Sequence, residues 1–180
     1  MQLLNQIRNA ITYRPFGGTS RFSNCKKQQK YTGLSFIYPK HEQNVAIAFR
    51  SAAAMGLTDF HATVGVPYVR AYADVIESSK IVPTFSFKSI EELLFERKPL
   101  HCQTVAVELT ADAVPLEDFV WPDRVIIVMG NERDGIPKNR LKSFDHIVKL
   151  PSIGASMNVS AAASVVLYDR YLKGFQKGIS

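Results

Sequence analysis

VIIVMGNERDGIP, residues 125–137, is the stretch whose reading decides the fold. Its first five residues are β-branched or long apolar side chains with no polar break, the composition of a strand buried on both faces. The run then stops in Gly-Asn-Glu-Arg-Asp-Gly. A buried strand that delivers polar side chains at its carboxyl end suits a parallel sheet, where ligands gather beyond the strand ends. Gly130 lets a ligand approach the backbone closely. The plainer reading is a glycine-bounded turn closed by Asn131 or Asp134.

Outward from this stretch, short apolar runs alternate with amphipathic segments. Strands are expected at Leu34–Tyr38, Phe60–Val64, Thr84–Phe87, Thr104–Leu109 and Ile147–Leu150. Helices are expected at Asn44–Met55, with Asn44 as N-cap and Gly56 as stop, and at Tyr68–Ser78 behind Pro67. Two more are expected at Ser89–Glu96, opened by a Ser89/Glu92 capping box, and at Val159–Leu172, capped by Asn158 or Ser156 and ended at Gly174. This alternation predicts an α/β fold: a mainly parallel sheet flanked by helices.

The chain has 180 residues, 46% hydrophobic and 21% charged, which fits one globular domain with a core. Its net charge of +6 is unevenly placed. Residues 1–40 carry seven basic and no acidic side chains, while the rest carry 15 basic and 16 acidic. The chain therefore divides into a basic N-terminal extension, residues 1–33, and a domain over 34–180. The extension interleaves Arg8, Arg14, Arg21, Lys26, Lys27 and Lys30 with Tyr13, Phe16, Phe22 and Tyr31. Cations neutralise phosphates and aromatic faces stack on unpaired bases, so these six bases are candidate RNA contacts. Read alone, the segment is more simply a solvated, partly disordered basic tail. The first ten residues lack a basic-then-apolar leader, and apolar runs such as Ala161–Leu167 are far below the ~20 residues that span a bilayer. Cys25 and Cys102 read as reduced thiols of a cytoplasmic protein.

Common phosphate and catalytic motifs are missing. Gly130 and Gly135 have Walker A spacing, but Ile136-Pro137 stands where Lys-Ser/Thr should be, so no lysine reaches a phosphate. There is no G-x-G-x-x-G, H-E-x-x-H or G-x-S-x-G. Histidines 41, 61, 101 and 146 are scattered without ligand spacing, and no metal is expected. Two further polar breaks follow strands. In HEQNVAIAFRSAAAMG, residues 41–56, Arg50 stands alone in a small, apolar setting, six residues past Asn44. At about 100° per residue the two project from different faces, so Arg50 does not serve Asn44. In KLPSIGASMNVSAAASVVLYDRY, residues 149–171, a strand ends at Pro151, and a Gly-Ala-Ser loop leads into a helix of small residues.

In order and content, the three breaks resemble the three motifs of the SPOUT superfamily, in particular the SpoU/TrmH-type RNA ribose 2′-O-methyltransferases. The matching residues are Asn44-Val45, Arg50 and Gly56; Gly130-Asn131-Glu132 and Gly135-Ile136-Pro137; and Leu150-Pro151, Gly154 and Ser156-Met157-Asn158-Val159-Ser160. The resemblance runs over about 34–172, with Met157 where leucine is more usual, a volume-conserving exchange.

The resemblance implies a C-terminal trefoil knot and S-adenosylmethionine as cofactor. Leu109, Gly130, Leu150, Met157 and Ser156 would line the cofactor site. It implies Asn44, Arg50, Glu132, Ser156 and Asn158 as catalytic residues and a homodimer with RNA meeting both subunits. Arg50 matches the family's essential arginine. A guanidinium is a standing cation that donates and does not accept, so anchoring a phosphate and stabilising a developing alkoxide is the easier account of it than general base. The implied activity is methylation of a ribose 2′-hydroxyl, with tRNA favoured over rRNA because the chain is minimal. The alternatives are an RNA-binding or assembly protein on the same fold, an RNA base N-methyltransferase of the same superfamily, and an unrelated flavodoxin-like module.

Overall fold

The computed structural model describes residues 30–174. Seven strands form one sheet: β1 (Tyr31–Ile37), β2 (Phe60–Val64), β3 (Thr84–Phe87), β4 (Gln103–Val107), β5 (Val114–Pro115), β6 (Arg124–Met129) and β7 (His146–Lys149). Their order is β3-β2-β1-β6-β4-β7-β5, and every pairing is parallel. The α/β reading from the sequence therefore holds. Strand β6 sits between β1 and β4, which is why its run of β-branched residues has no polar break: both faces are covered. Val125, Ile127 and Met129 enter one core, and Ile126 and Val128 the other.

Helix α1 (Glu42–Ala54), the short α2 (Ser78–Ile81), α3 (Ile90–Leu100), the short α4 (Lys138–Leu141) and α5 (Val159–Leu172) complete the layers. Helices α1 and α5 pack together over one face through Val45, Phe49, Ala52, Ala163 and Val166. Across the sheet, Ile90, Leu93, Leu141 and Phe144 cover the opposite side. The capping box at α3 forms with a one-residue offset. Ser89 Oγ accepts the Glu92 amide at 3.3 Å, and Glu92 reaches back to the amide of Lys88 at 2.6 Å. At α5, Asn158 Oδ1 accepts from Ser160 and Ala161, as expected of a cap.

Three expectations need correction. Asn44 does not cap α1: the helix begins at Glu42, with His41 at the N-cap position and no side-chain cap bond. Tyr68–Ser78 is not a helix, and only Ser78–Ile81 completes helical turns. Two backbone amides there are taken by side chains, Tyr68 N donating to Ser86 Oγ at 3.0 Å and Ser78 N to both oxygens of buried Asp74 at 2.9 Å, while the amides of Asp74 and Glu77 close isolated turns on Ala71 and Asp74. Tyr31, Thr32 and Gly33, read as the end of the basic extension, are the first residues of β1. The two-residue edge strand β5 is too short to leave a sequence pattern of its own. Among the described residues, no helix is long and apolar enough to cross a membrane.

One buried histidine makes stability depend on pH. His61 in β2 is fully buried, stacked on Phe49 at 4.3 Å, with Nε2 2.9 Å from Thr58 Oγ1. Burial pushes its pKa from 6.5 down to about 3. Between those values the unfolded chain takes up a proton that the folded chain does not, so stability falls as pH falls through that window. Urea unfolding at pH 7, 5 and 4 is expected to show that decline, and His61→Asn to flatten it. An equal slope in both proteins would contradict the assignment.

Candidate active site

Three loops meet at the carboxyl end of the sheet, after β1, β6 and β7. The loop after β6 is folded on itself. Gly130 is buried, and the main chains of Asn131 and Gly135 exchange hydrogen bonds at 3.3 and 3.1 Å. Asn131 Oδ1 closes the turn from inside, accepting the amides of Arg133 at 2.9 Å and Asp134 at 2.6 Å. Gly135, at φ 66°, lies against Glu108, whose carboxylate accepts the Ile136 amide at 2.7 Å and the Leu109 amide at 3.1 Å. Only glycine suits Gly130, because a Cβ there would stand 2.5 Å from the backbone carbon of Gly135.

This turn raises Glu132 towards α1. Asn44 Nδ2 donates to Glu132 Oε1 at 2.9 Å, the His41 amide donates to the same oxygen at 3.2 Å, and the Lys40 amide donates to Oε2 at 2.9 Å. Lys40 Nζ also bonds Asp134 at 2.9 Å. From the third loop, Asn158 Nδ2 donates to Asn44 Oδ1 at 3.1 Å, while its own Oδ1 caps α5. Asn158, Asn44 and Glu132 thus form one hydrogen-bonded chain across three segments 88 and 114 residues apart in sequence. Partial burial, the largest single influence on Glu132, pushes its carboxyl up. The bonds from Asn44 and from the amides of Lys40, Glu132 and His41 together hold it below the usual carboxylate value. It is an ionised acceptor already holding three donors, suited to orienting Asn44 rather than to taking a proton.

Behind the chain of three lies a slot lined by Val107, Leu109, Met129, Gly130, Leu150, Ser156, Met157, Val159 and Ala162. All five residues expected at a cofactor site are therefore brought together. Leu109 and Met157 leave apolar side chains exposed at it, and residues 151–158 are exposed throughout. Arg50 is not part of this cluster. It lies on the exposed side of α1, and its guanidinium donates to the Ala73 carbonyl at 3.4 Å. Lys30 stands at the opposite end of β1, donating to the Gly174 carbonyl, roughly 20 Å from the site for a seven-residue strand. Arg8, Arg14, Arg21, Lys26 and Lys27 lie outside the described residues.

Glu108 and the Lys40–His41 backbone are parts of the site that sequence reasoning misses. A signal for Glu108 exists: an acidic residue directly after four buried strand residues needs a partner, and finds it in the next loop. Among the described residues, no group of three or more His, Cys, Asp or Glu could hold a metal ion.

Comparison with known proteins bears on this geometry. The family model described as the SpoU rRNA Methylase family matches residues 34–168. The tRNA (guanosine(18)-2′-O)-methyltransferase of Escherichia coli K12 is 29% identical over 129 residues, covering 70% of this chain and 56% of that protein. The Thermus thermophilus protein of the same name is 25% identical over 164 residues, 81% of this chain and 76% of that one. The chain thus spans little more than half the length of the Escherichia coli relative. The AdoMet-bound rRNA methyltransferase of Sinorhizobium meliloti superposes with a TM-score of 0.73 at 18% identity, covering 92% of this chain and 62% of that one. The A. aeolicus TrmH/SpoU tRNA-modifying enzyme superposes at 0.71 with 21% identity, covering 96% and 82%. These two likenesses establish the shared fold. The family match takes in all three loops of the site and well over half of the residues, and the chain belongs to the SpoU rRNA methylase family.

Proposed function

We propose that the protein transfers a methyl group from S-adenosylmethionine to a ribose 2′-hydroxyl of RNA, with tRNA the favoured substrate. The observation that carries this reading is the Asn158–Asn44–Glu132 chain at the mouth of an apolar slot. Family membership and the tRNA methyltransferase names of its relatives support it. The slot's chemistry suits the donor, since apolar side chains left exposed at its rim would be covered by an adenine ring. Leu109, Gly130, Leu150, Met157 and Ser156 are the residues proposed to hold it.

When bound, the donor supplies a methyl group already made electrophilic by the sulfonium. What remains for the protein is to hold a weak nucleophile in line. Asn44 and Asn158 are fixed by each other and by Glu132, and are proposed to orient the ribose. Ser156, on the exposed loop, would contact the donor or the sugar. The proton lost by the 2′-hydroxyl is proposed to leave to solvent rather than to Glu132, whose carboxylate is held ionised by the donors from Asn44, His41 and Lys40.

We also infer a homodimer. Ile47 on α1 and Val165, Tyr168 and Leu172 on α5 form an exposed apolar stripe on two packed helices. Arg50 is one turn from Ile47 on that side of α1, so its role would be played at the partner's pocket, which accounts for its distance from Asn44. A threaded, knotted C-terminus is likewise inferred: the end of α5 is held by the 116–123 segment, through Arg170 to the carbonyls of Pro122 and Asp123 and Lys173 to those of Leu116 and Glu117. From that proposed RNA substrate we also infer a cytoplasmic location.

Methyl-labelled S-adenosylmethionine offered with bulk tRNA or with rRNA is expected to label tRNA. Label only in rRNA would move the substrate, and no label with no calorimetric cofactor binding would end the enzyme reading. Arg50→Ala is expected to raise KM for RNA about tenfold with an unchanged pH profile, as a phosphate anchor requires. Partial rescue by Arg50→Lys with a shifted pH profile would instead make it a base.

A further inference from the structure

A second cavity lies beside the first. A groove of about 750 Å³ opens between the N-terminal turn of α1 and the loop that follows β2, lined among others by Lys40, His41, Gln43, Asn44, Val66 and Tyr68. That volume is within the range of sites that enclose a small ligand. We propose that this groove holds the base of the nucleotide whose ribose is methylated, with the Tyr68 ring as its stacking wall. The proposal rests on the RNA-methyltransferase reading and adds where the base goes.

Continuity is the first argument. Asn44 lines the groove and Glu132 lines the donor slot, and the two side chains are bonded at 2.9 Å. The cavities therefore meet at one hydrogen-bonded pair. A ribose held at Asn44 with its 2′-oxygen towards the slot leaves its base, one glycosidic bond away, on the groove side.

The second argument is the rigidity of Tyr68. Its ring packs on Phe49 at 5.3 Å, its amide donates to Ser86 Oγ at 3.0 Å, and its hydroxyl donates to Asp74 Oδ2 at 3.0 Å. Asp74 is itself fully buried and fixed by Ser78. Burial, then the bond to Asp74, pushes the phenol up to about 12, so it stays a donor at neutral pH. A ring held at three points is a platform ordered before any ligand arrives, which lowers the entropic cost of binding. Chemistry agrees with geometry: Val66 and Pro67 add apolar wall, Gln43 offers both a donor and an acceptor to a base edge, and Lys40 and His41 bring cationic or polar groups to the rim.

The test compares Tyr68→Ala with Tyr68→Phe in the full chain, using bulk tRNA as methyl acceptor. Loss of a base–aromatic stack is expected to raise KM for RNA between about fivefold and 150-fold in Tyr68→Ala. Tyr68→Phe keeps the stacking ring and loses only its bond to Asp74, so it should raise KM for RNA less than Tyr68→Ala does, and the S-adenosylmethionine Kd should stay within about twofold in both. A folded Tyr68→Ala protein with wild-type KM for RNA overturns the assignment. Should Tyr68→Ala lose cofactor binding through misfolding, ultraviolet crosslinking of the wild-type chain to bulk tRNA decides: crosslinks within residues 67–70 support the proposal, and crosslinks confined elsewhere overturn it. An active wild type with no groove crosslink refutes only this placement of the base. A wild type that neither binds the cofactor nor methylates RNA refutes the parent reading, and this one with it.

Discussion

Glu132→Gln is expected to lower kcat/KM for RNA methylation by about 10²- to 10³-fold, the scale set by losing one preorganised polar contact at a reacting centre. The exchange keeps size and shape but leaves one acceptor where there were two. Glu132 Oε1 now receives Asn44 Nδ2 and the His41 amide, and Oε2 receives the Lys40 amide. Whichever way the glutamine amide turns, an N–H faces an N–H donor, and an unpaired donor costs about 1–3 kcal/mol. Asn44 then loses its anchor, and with it the bond that links Asn158. Because the three act as a unit, Asn44→Ala added to Glu132→Gln should cost little more than either change alone. Steady-state kinetics at saturating cofactor measures this, and activity within about threefold of wild type would contradict it.

Gly130→Ala is expected to destabilise the fold by about 3 kcal/mol, or roughly 6–12 °C in Tm, and to abolish measurable cofactor binding. The added methyl would lie 2.5 Å from the carbonyl carbon of Gly135, 2.7 Å from the Ile136 nitrogen and 2.8 Å from the Gly135 Cα. All three are backbone, so no side chain can swing aside. Relief requires opening the Asn131–Gly135 turn, which breaks both of its main-chain bonds and draws the Ile136 amide off Glu108. The same opening moves Glu132 away from α1. Calorimetry of unfolding and of cofactor binding reads both effects. A variant with wild-type Tm and wild-type affinity would show that the turn has slack the present geometry denies it.

What the sequence makes legible is local chemistry with a single outcome. The buried run before Gly130 can only be a central strand, and Asn158 before a helix of small residues is a cap whose backbone partners lie two and three residues on. The three loops of the site are legible through their resemblance to a family, and their convergence follows from parallel strands ending on one side. Less legible is anything decided by a distant partner. Asn44 has the composition of a cap, but its side chain is drawn to Glu132, 88 residues away, and the helix starts two residues earlier. Residues 68–78 carry helix-like apolar spacing at Val69, Tyr72 and Ile76. Those side chains are exposed, and the Asp74 carboxylate takes the Ser78 amide that a helix would direct to the Asp74 carbonyl. Arg50 shows the same limit from the other side: helical geometry places it off the Asn44 face, and the Ala73 carbonyl it meets lies 23 residues away in a segment whose course the sequence misstates.

The central claim is that Asn44, Glu132 and Asn158 hold a ribose in line with a methyl donor. Its most direct test is nucleoside analysis of RNA methylated by the protein with isotopically labelled S-adenosylmethionine. After complete digestion, mass spectrometry is expected to find the label on the sugar, as a 2′-O-methylnucleoside that is absent with Glu132→Gln. Label on a base, or a labelled ribose undiminished by Glu132→Gln, would contradict the account.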